Sequence, residues 1–157
     1  MSEEQAPKRK KVSNTEKRRN ARSFTLQALY SQELTQNPTN EVEAHFHVDN
    51  DMSETDVPLF SELLQGINSQ KADLDKAFEI YLDRRVDELD PIELSILRIG
   101  SFELINRIEV PYKVAINESV ELAKIFGATD SHRYVNGVLD KLAQKVRMVE
   151  IKANRGK

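Results

Sequence analysis

Apolar residues return at intervals of three and four along most of this chain, the spacing that places them on one face of a helix. Leu26, Leu29, Tyr30, Glu33 and Leu34 show this spacing, with Phe24 and Ala28 widening the stripe, and predict a helix from a cap at Thr15 to about Thr35. The segment Gln36 to Asn40 (QNPTN) ends it. Residues 41–52 are weakly periodic and read as a short helix or an irregular loop. Ser53, with Asp56 three residues later, resembles a capping box. An apolar face of Val57, Leu59, Phe60, Leu63, Leu64 and Ile67 follows, with Pro58 in the first turns, where proline does least harm. Gly66 falls near the expected end of that helix, and Asn68 to Lys71 reads as a boundary between two halves.

The second half is more strongly patterned. Ala72, Leu74, Ala77, Phe78, Tyr81 and Leu82 make an amphipathic helix. Asp90-Pro91-Ile92-Glu93 combines a capping carboxylate, a proline at the first helical position and an acid at the third. The helix it opens carries Ile92, Leu94, Ile96, Leu97, Ile99, Phe102, Leu104, Ile105 and Ile108, apolar on nearly every side, which predicts a buried axis. Val110 and Pro111 break it. Another helix follows from about Tyr112 to Phe126, with Gly127 expected at a left-handed C-terminal position. Thr129 or Asp130 caps a last helix whose apolar period runs from Val135 to Val149. The pattern predicts about three helices in each half.

Composition agrees with helices. Five glycines and five prolines in 157 residues are few for a fold that turns often, and 39% hydrophobic residues suffice for a core. The absence of cysteine removes disulfides and thiolate chemistry and fits a cytoplasmic protein. No apolar run approaches the roughly 20 residues that span a bilayer, and no secretory leader is expected. Charge changes the picture more. The first 22 residues hold eight basic and three acidic residues, whereas the rest of the chain is acidic, within a net charge of −3. Residues 1–14 read as a disordered basic tail, and 15–150 as one helical domain with halves at about 15–69 and 71–150. A basic arm on an acidic body points to a polyanion-binding end.

Three clusters carry candidate chemistry. The helix start with Lys17, Arg18, Arg19 and Arg22 combines guanidinium groups with free backbone amides, a fit for phosphate; a solubilising charge run remains the alternative. Asp130 to Gly137 (DSHRYVNG) places Arg133 and Tyr134 at a helix start, where a cation beside an aromatic ring suits single-stranded RNA. Tyr134 as a core residue is the competing reading. The acidic segment with Asp87 and Glu93 suits a basic protein partner, although capping accounts for Asp90 and Glu93 in large part. His45 and His47 lack the further ligands of a zinc site, and no nucleophile-elbow, P-loop or dinucleotide motif occurs. Neither an enzyme nor a metal or cofactor is expected.

Val110 to Lys124 (VPYKVAINESVELAK) and Asp130 to Asp140 (DSHRYVNGVLD) resemble the signature of the transcription antitermination protein NusB family, as do Arg22 to Tyr30 and Ile96-Leu97-Arg98-Ile99. The likeness covers about residues 15–148. It implies an all-α fold of two packed three-helix bundles, about seven helices in total. It further implies pairing with the ribosomal protein that acts as NusE, and binding of boxA-type single-stranded RNA, chiefly in ribosomal RNA operons. The pair would act on the RNA polymerase elongation complex with other Nus factors. By position, the resemblance gives Lys17, Arg18, Arg19, Arg22, Arg133 and Tyr134 to RNA, with Tyr134 where the family often has Phe. It gives Asp87 and Glu93 to the protein partner. Asn20 stands where a further arginine can occur, and the KRKK tail is extra. A helical protein-interaction module that binds no RNA is the alternative, and a homodimer paired through an apolar helix face is left open.

Overall fold

A computed structural model describes residues 11–156. The expected tail therefore lies outside the described residues for its first ten positions. Seven α-helices make up the described fold: α1 (Asn14–Thr35), α2 (Thr39–Asp49), α3 (Val57–Glu79), α4 (Pro91–Asn106), α5 (Tyr112–Phe126), α6 (Ser131–Val146) and α7 (Met148–Arg155). A single 3-10 turn, Val86–Glu88, precedes α4. Helices α1, α2 and α3 pack as one bundle and α4, α5 and α6 as another, with α4 also against α1 and α3. The fold is all-α, as the pattern predicts.

Helix α4 is the axis. Every residue from Leu94 to Leu104 is buried, including Ser95, Ser101 and Glu103. Asp90 caps it as expected, its carboxylate accepting from the amides of Ile92 at 2.7 Å and Glu93 at 3.4 Å. Its close packing needs small residues: a Cβ on Gly100 would collide with Leu139 and with the Ser119 hydroxyl. Among the described residues no helix is long and apolar enough to cross a membrane.

Five boundaries differ from the sequence reading. Helix α1 begins one residue before Thr15 and is capped by Ser13, whose extended backbone lets its hydroxyl accept from the Glu16 amide at 3.1 Å. Asp56 itself caps α3, through the Leu59 amide at 3.1 Å, and Ser53 does not. Helix α3 runs without interruption through Asn68 to Lys71, where a boundary was expected. Gly66 lies beneath the Phe102 ring of α4, and the Asn68 amide donates to Gln32 of α1 at 2.9 Å and to its own helix at Leu64. Residues that look like a linker are thus the ones over which α1 and α4 pack. Gly127 is extended (φ −90°, ψ 174°) rather than left-handed; a Cβ there would press on the Ala123 carbonyl and on Ser131. Asp130 holds the cap position of α6 without a side-chain bond, and the expected last helix breaks at Arg147 into α6 and α7.

Gly137 has no such reason. It lies mid-helix in α6, exposed, with φ in the ordinary range and open space where a Cβ would go. Gly137→Ala is expected to raise stability by about 1 kcal/mol, read as a higher midpoint in urea unfolding.

Candidate nucleic-acid interface

The basic start of α1 does not present its cations equally. Arg22 is buried at 4% exposure, and its guanidinium grips Glu103 of α4 through two bonds, Nε to Oε1 at 2.6 Å and Nη2 to Oε2 at 2.8 Å. Glu103 is fully buried. Burial works against the Arg22 charge, but the hydrogen bond and charge of Glu103 outweigh it and hold the guanidinium above its ordinary pKa. Arg22, expected as a phosphate contact, forms an ion pair between the two bundles with its donors turned to Glu103. Lys17 and Arg18 are half-exposed and border a hollow with Asp56 and Pro58. Arg19 is the most open of the four, with its side chain 56% exposed. Asn20 donates to the Glu54 carbonyl at 2.9 Å and so ties the α2–α3 loop to α1. An arginine at that position would forgo this tie.

Arg19 stands between two hollows. One, of about 540 Å³, is bordered by Arg18, Arg19, Arg107 and Glu109 and reaches the Val110-Pro111 start of α5. The other, of about 440 Å³, runs from Arg19 along the outer side of α5 to Lys124 and Ile125. Lys124 is in the last turn of α5, just before the turn that leads into α6.

Beyond that turn, at the start of α6, come Arg133 and Tyr134. Arg133 is exposed. Tyr134 is half-buried, packed at the edge of the core. Its hydroxyl donates to Asp83 at 2.9 Å, and the Arg84 guanidinium lies 4.9 Å from the ring centroid. Arg84 in turn holds Asp83 at 2.7 Å. Burial first, then the bond to Asp83, pushes the Tyr134 phenol above its usual pKa. The bonds from Arg84 and Tyr134 hold the Asp83 carboxyl below its own. One ring face is therefore occupied by a cation, and the phenol is fixed. Both readings of Tyr134 contain part of this: the ring braces α6 against the segment that follows α3, and its outer part still meets solvent.

The two acids separate. Asp87 is exposed on the 3-10 turn, paired with Arg85 at 3.1 Å, at the edge of a groove of about 690 Å³ that also includes Glu33, Glu79, Arg84 and Arg98. Glu93 is half-buried and accepts from the Ser131 hydroxyl at 2.9 Å, which fastens the start of α6 to the start of α4. The structure thus brings Arg18 and Arg19 beside the first half of α5 and Lys17 beside the start of α3, and places Arg133 and Tyr134 in the first turn of α6, whose start Glu93 holds through Ser131. His45 and His47 are exposed on α2, with the His47 ring edge against Phe60. Among the described residues no three acids or histidines are grouped to hold a metal ion.

Residues 19–144 match the family profile described as the NusB family. The chain belongs to the NusB family. A Marinomonas protein (strain MWYL1) named transcription antitermination protein NusB is 54% identical over 154 residues, 96% of this chain and 88% of its own. A Pseudomonas putida (strain W619) protein of the same name is 50% identical over 145 residues, 92% and 87% of the two chains. Among solved structures, T. maritima NusB superposes with a TM-score of 0.72 at 25% identity, over 81% of this chain and 90% of its own. A chain from a crystal structure of the antitermination factors NusB and NusE in complex with dsRNA shares the fold, with a TM-score of 0.66 at 22% identity, over 80% and 95%. Sequence reasoning about this NusB-family chain missed Arg84, Glu118 and Lys124. Lys124 ends the first family-like motif and was open to notice; Arg84 and Glu118 gain their meaning only from partners far along the chain.

Proposed function

We propose that this NusB-family chain is the RNA-binding half of an antitermination complex. It pairs with the ribosomal protein acting as NusE and binds boxA-type single-stranded RNA, chiefly of ribosomal RNA operons. With other Nus factors it acts on the RNA polymerase elongation complex in the cytoplasm. The observation that carries this reading is the hollow that runs from the exposed Arg19 along α5 to Lys124, with Arg133 and Tyr134 following at the start of α6, just beyond the turn that ends α5. A flexible strand can follow such a line with phosphates on the cations and a base near the ring. Asp87 and Glu93 serve the protein partner, and the groove beside Asp87 supplies shape for it. A NusB chain of the same fold has been crystallised with NusE and dsRNA, which supports a NusE-type partner and an RNA ligand.

The test is binding of a boxA-like oligonucleotide and a scrambled control, with and without the ribosomal-protein partner, across a range of salt. The wild type is expected to prefer the boxA-like strand, and more strongly with the partner. Arg19→Ala is expected to weaken binding about tenfold, as loss of a charge-assisted bond does, and to reduce the salt slope by about 0.7, one phosphate contact to a single strand. Recovery of the protein partner with no RNA retained even at low salt would support a protein-interaction module instead.

A further inference from the structure

Glu118 is an acid in the middle of the cationic end of α5. On charge alone it should repel a polyanion. Its geometry gives it another part. Both carboxylate oxygens face the Nε–H of Arg19, at 3.1 and 3.2 Å, and one lies 4.0 Å from Nη1 of Arg22. Arg22 is in turn locked on Glu103. Four alternating charges therefore lead from the core to the surface: Glu103 fully buried, Arg22 at 4%, Glu118 at 9%, and Arg19 with a side chain 56% exposed. The sequence is electrically neutral, and each member except the first is fixed by the one beneath it.

Arg19 is attached through Nε only. Among the described residues neither of its Nη atoms makes a hydrogen bond, so the outer fork of the guanidinium stays open while its plane is held from behind. A planar fork held this way suits bidentate contact with phosphate. A free arginine would lose rotamer freedom on binding; one already ordered by Glu118 loses less.

Resting on the RNA-binding reading above, we infer that Glu118 is a positioning residue for RNA, an acid that raises affinity for a polyanion by aiming Arg19. The prediction has a sign that simple Coulomb repulsion does not share. Glu118→Asp keeps the charge but withdraws the carboxylate by one methylene, and Glu118→Gln keeps the length but removes the charge. Positioning requires that both weaken boxA-like RNA binding, by about 2- to 10-fold, the value of one long side chain set free. Repulsion alone predicts no change for aspartate and tighter binding for glutamine.

Fluorescence anisotropy titration measures the affinities, and the Nε–H signal of Arg19 in a nitrogen-15 NMR spectrum reports its ordering. A discrete, slowly exchanging signal in the wild type, lost in both variants together with affinity, is the expected result. Loss of that signal with affinity at or above the wild-type value overturns the inference. Should either variant unfold, Arg19→Lys answers the same question at an exposed position. A lysine cannot be held through Nε while offering a fork, so it is expected to bind as weakly as Arg19→Ala; wild-type affinity for it would overturn the inference. A wild type that binds no RNA overturns the underlying reading too, whereas binding that depends on Arg19 but ignores Glu118 overturns this inference alone.

Discussion

Arg22→Ala is expected to lower stability by about 3–5 kcal/mol, the usual consequence of removing one partner of a buried pair and leaving the other's charge without compensation. The partner left behind is Glu103, fully buried in the middle of α4. For a chain of this length that loss corresponds to a melting point about 6–20 °C lower. The joint replacement of Arg22 by Met and Glu103 by Leu removes both charges with little change of volume and is expected to recover most of the stability. The same double variant separates structure from recognition. Arg22 offers its donors to Glu103, not to solvent, so RNA binding by the refolded double variant should keep the wild-type salt slope. A slope reduced by about 0.7, as for a lost phosphate contact, while Arg19 keeps its ordered Nε–H signal would show that Arg22 reaches RNA after all. Thermal unfolding followed by circular dichroism, with salt titrations well below the transition, gives both readings.

The contrast between Arg19 and Arg22 shows where sequence reading stops. The two are identical side chains less than one turn apart in a single basic run. What sends one inside and leaves the other exposed is Glu103, 81 residues further along the chain, the one buried acid of a helix whose other buried positions, Arg98 apart, are apolar or small. A lone acid within an apolar run could have signalled a buried partner, but not which of the arginines it takes. Local patterns did better where local forces decide. The Asp90-Pro91 start and the burial of α4 follow from capping chemistry and from apolar residues on every side, and the structure has both. The uninterrupted α3 went unseen because Gly66, Asn68 and the polar residues after them are explained by Phe102 and Gln32, and such tertiary partners override local propensity. The candidate interface divides the same way: which residues are basic or aromatic is plain in the chain, and which still have a free donor is decided by distant acids.

Arg147 is the clearest case of a residue with no sequence signal and a large expected effect. It interrupts the apolar period of the last predicted helix, at the break between α6 and α7, and is buried at 4% exposure. Its guanidinium donates to four backbone carbonyls, those of Leu104 at 2.7 Å, Val110 and Arg107 at 2.9 Å and Glu103 at 3.2 Å, and to the Glu150 carboxylate at 2.6 Å. Two of those carbonyls, of Glu103 and Leu104, belong to the last turn of α4, where a positive charge is favoured. Glu150 uses its other oxygen to accept from the Tyr112 amide at 3.1 Å, at the start of α5. One side chain and its carboxylate therefore fasten the whole α4–α5 turn, whose Val110 and Pro111 border the hollow beside Arg19. Arg147→Ala is expected to cost on the order of 4 kcal/mol, since several buried acceptors lose their donor at about 1–3 kcal/mol each and water recovers only part. Arg147→Lys should rescue little, because an ammonium point charge cannot meet acceptors arranged around a planar fork. Hydrogen exchange at the Tyr112 amide gives the local readout and should quicken in both variants before global unfolding. A lysine variant with wild-type stability and an unchanged Tyr112 exchange rate would mean that charge at this corner, rather than the shape of the guanidinium, holds the turn.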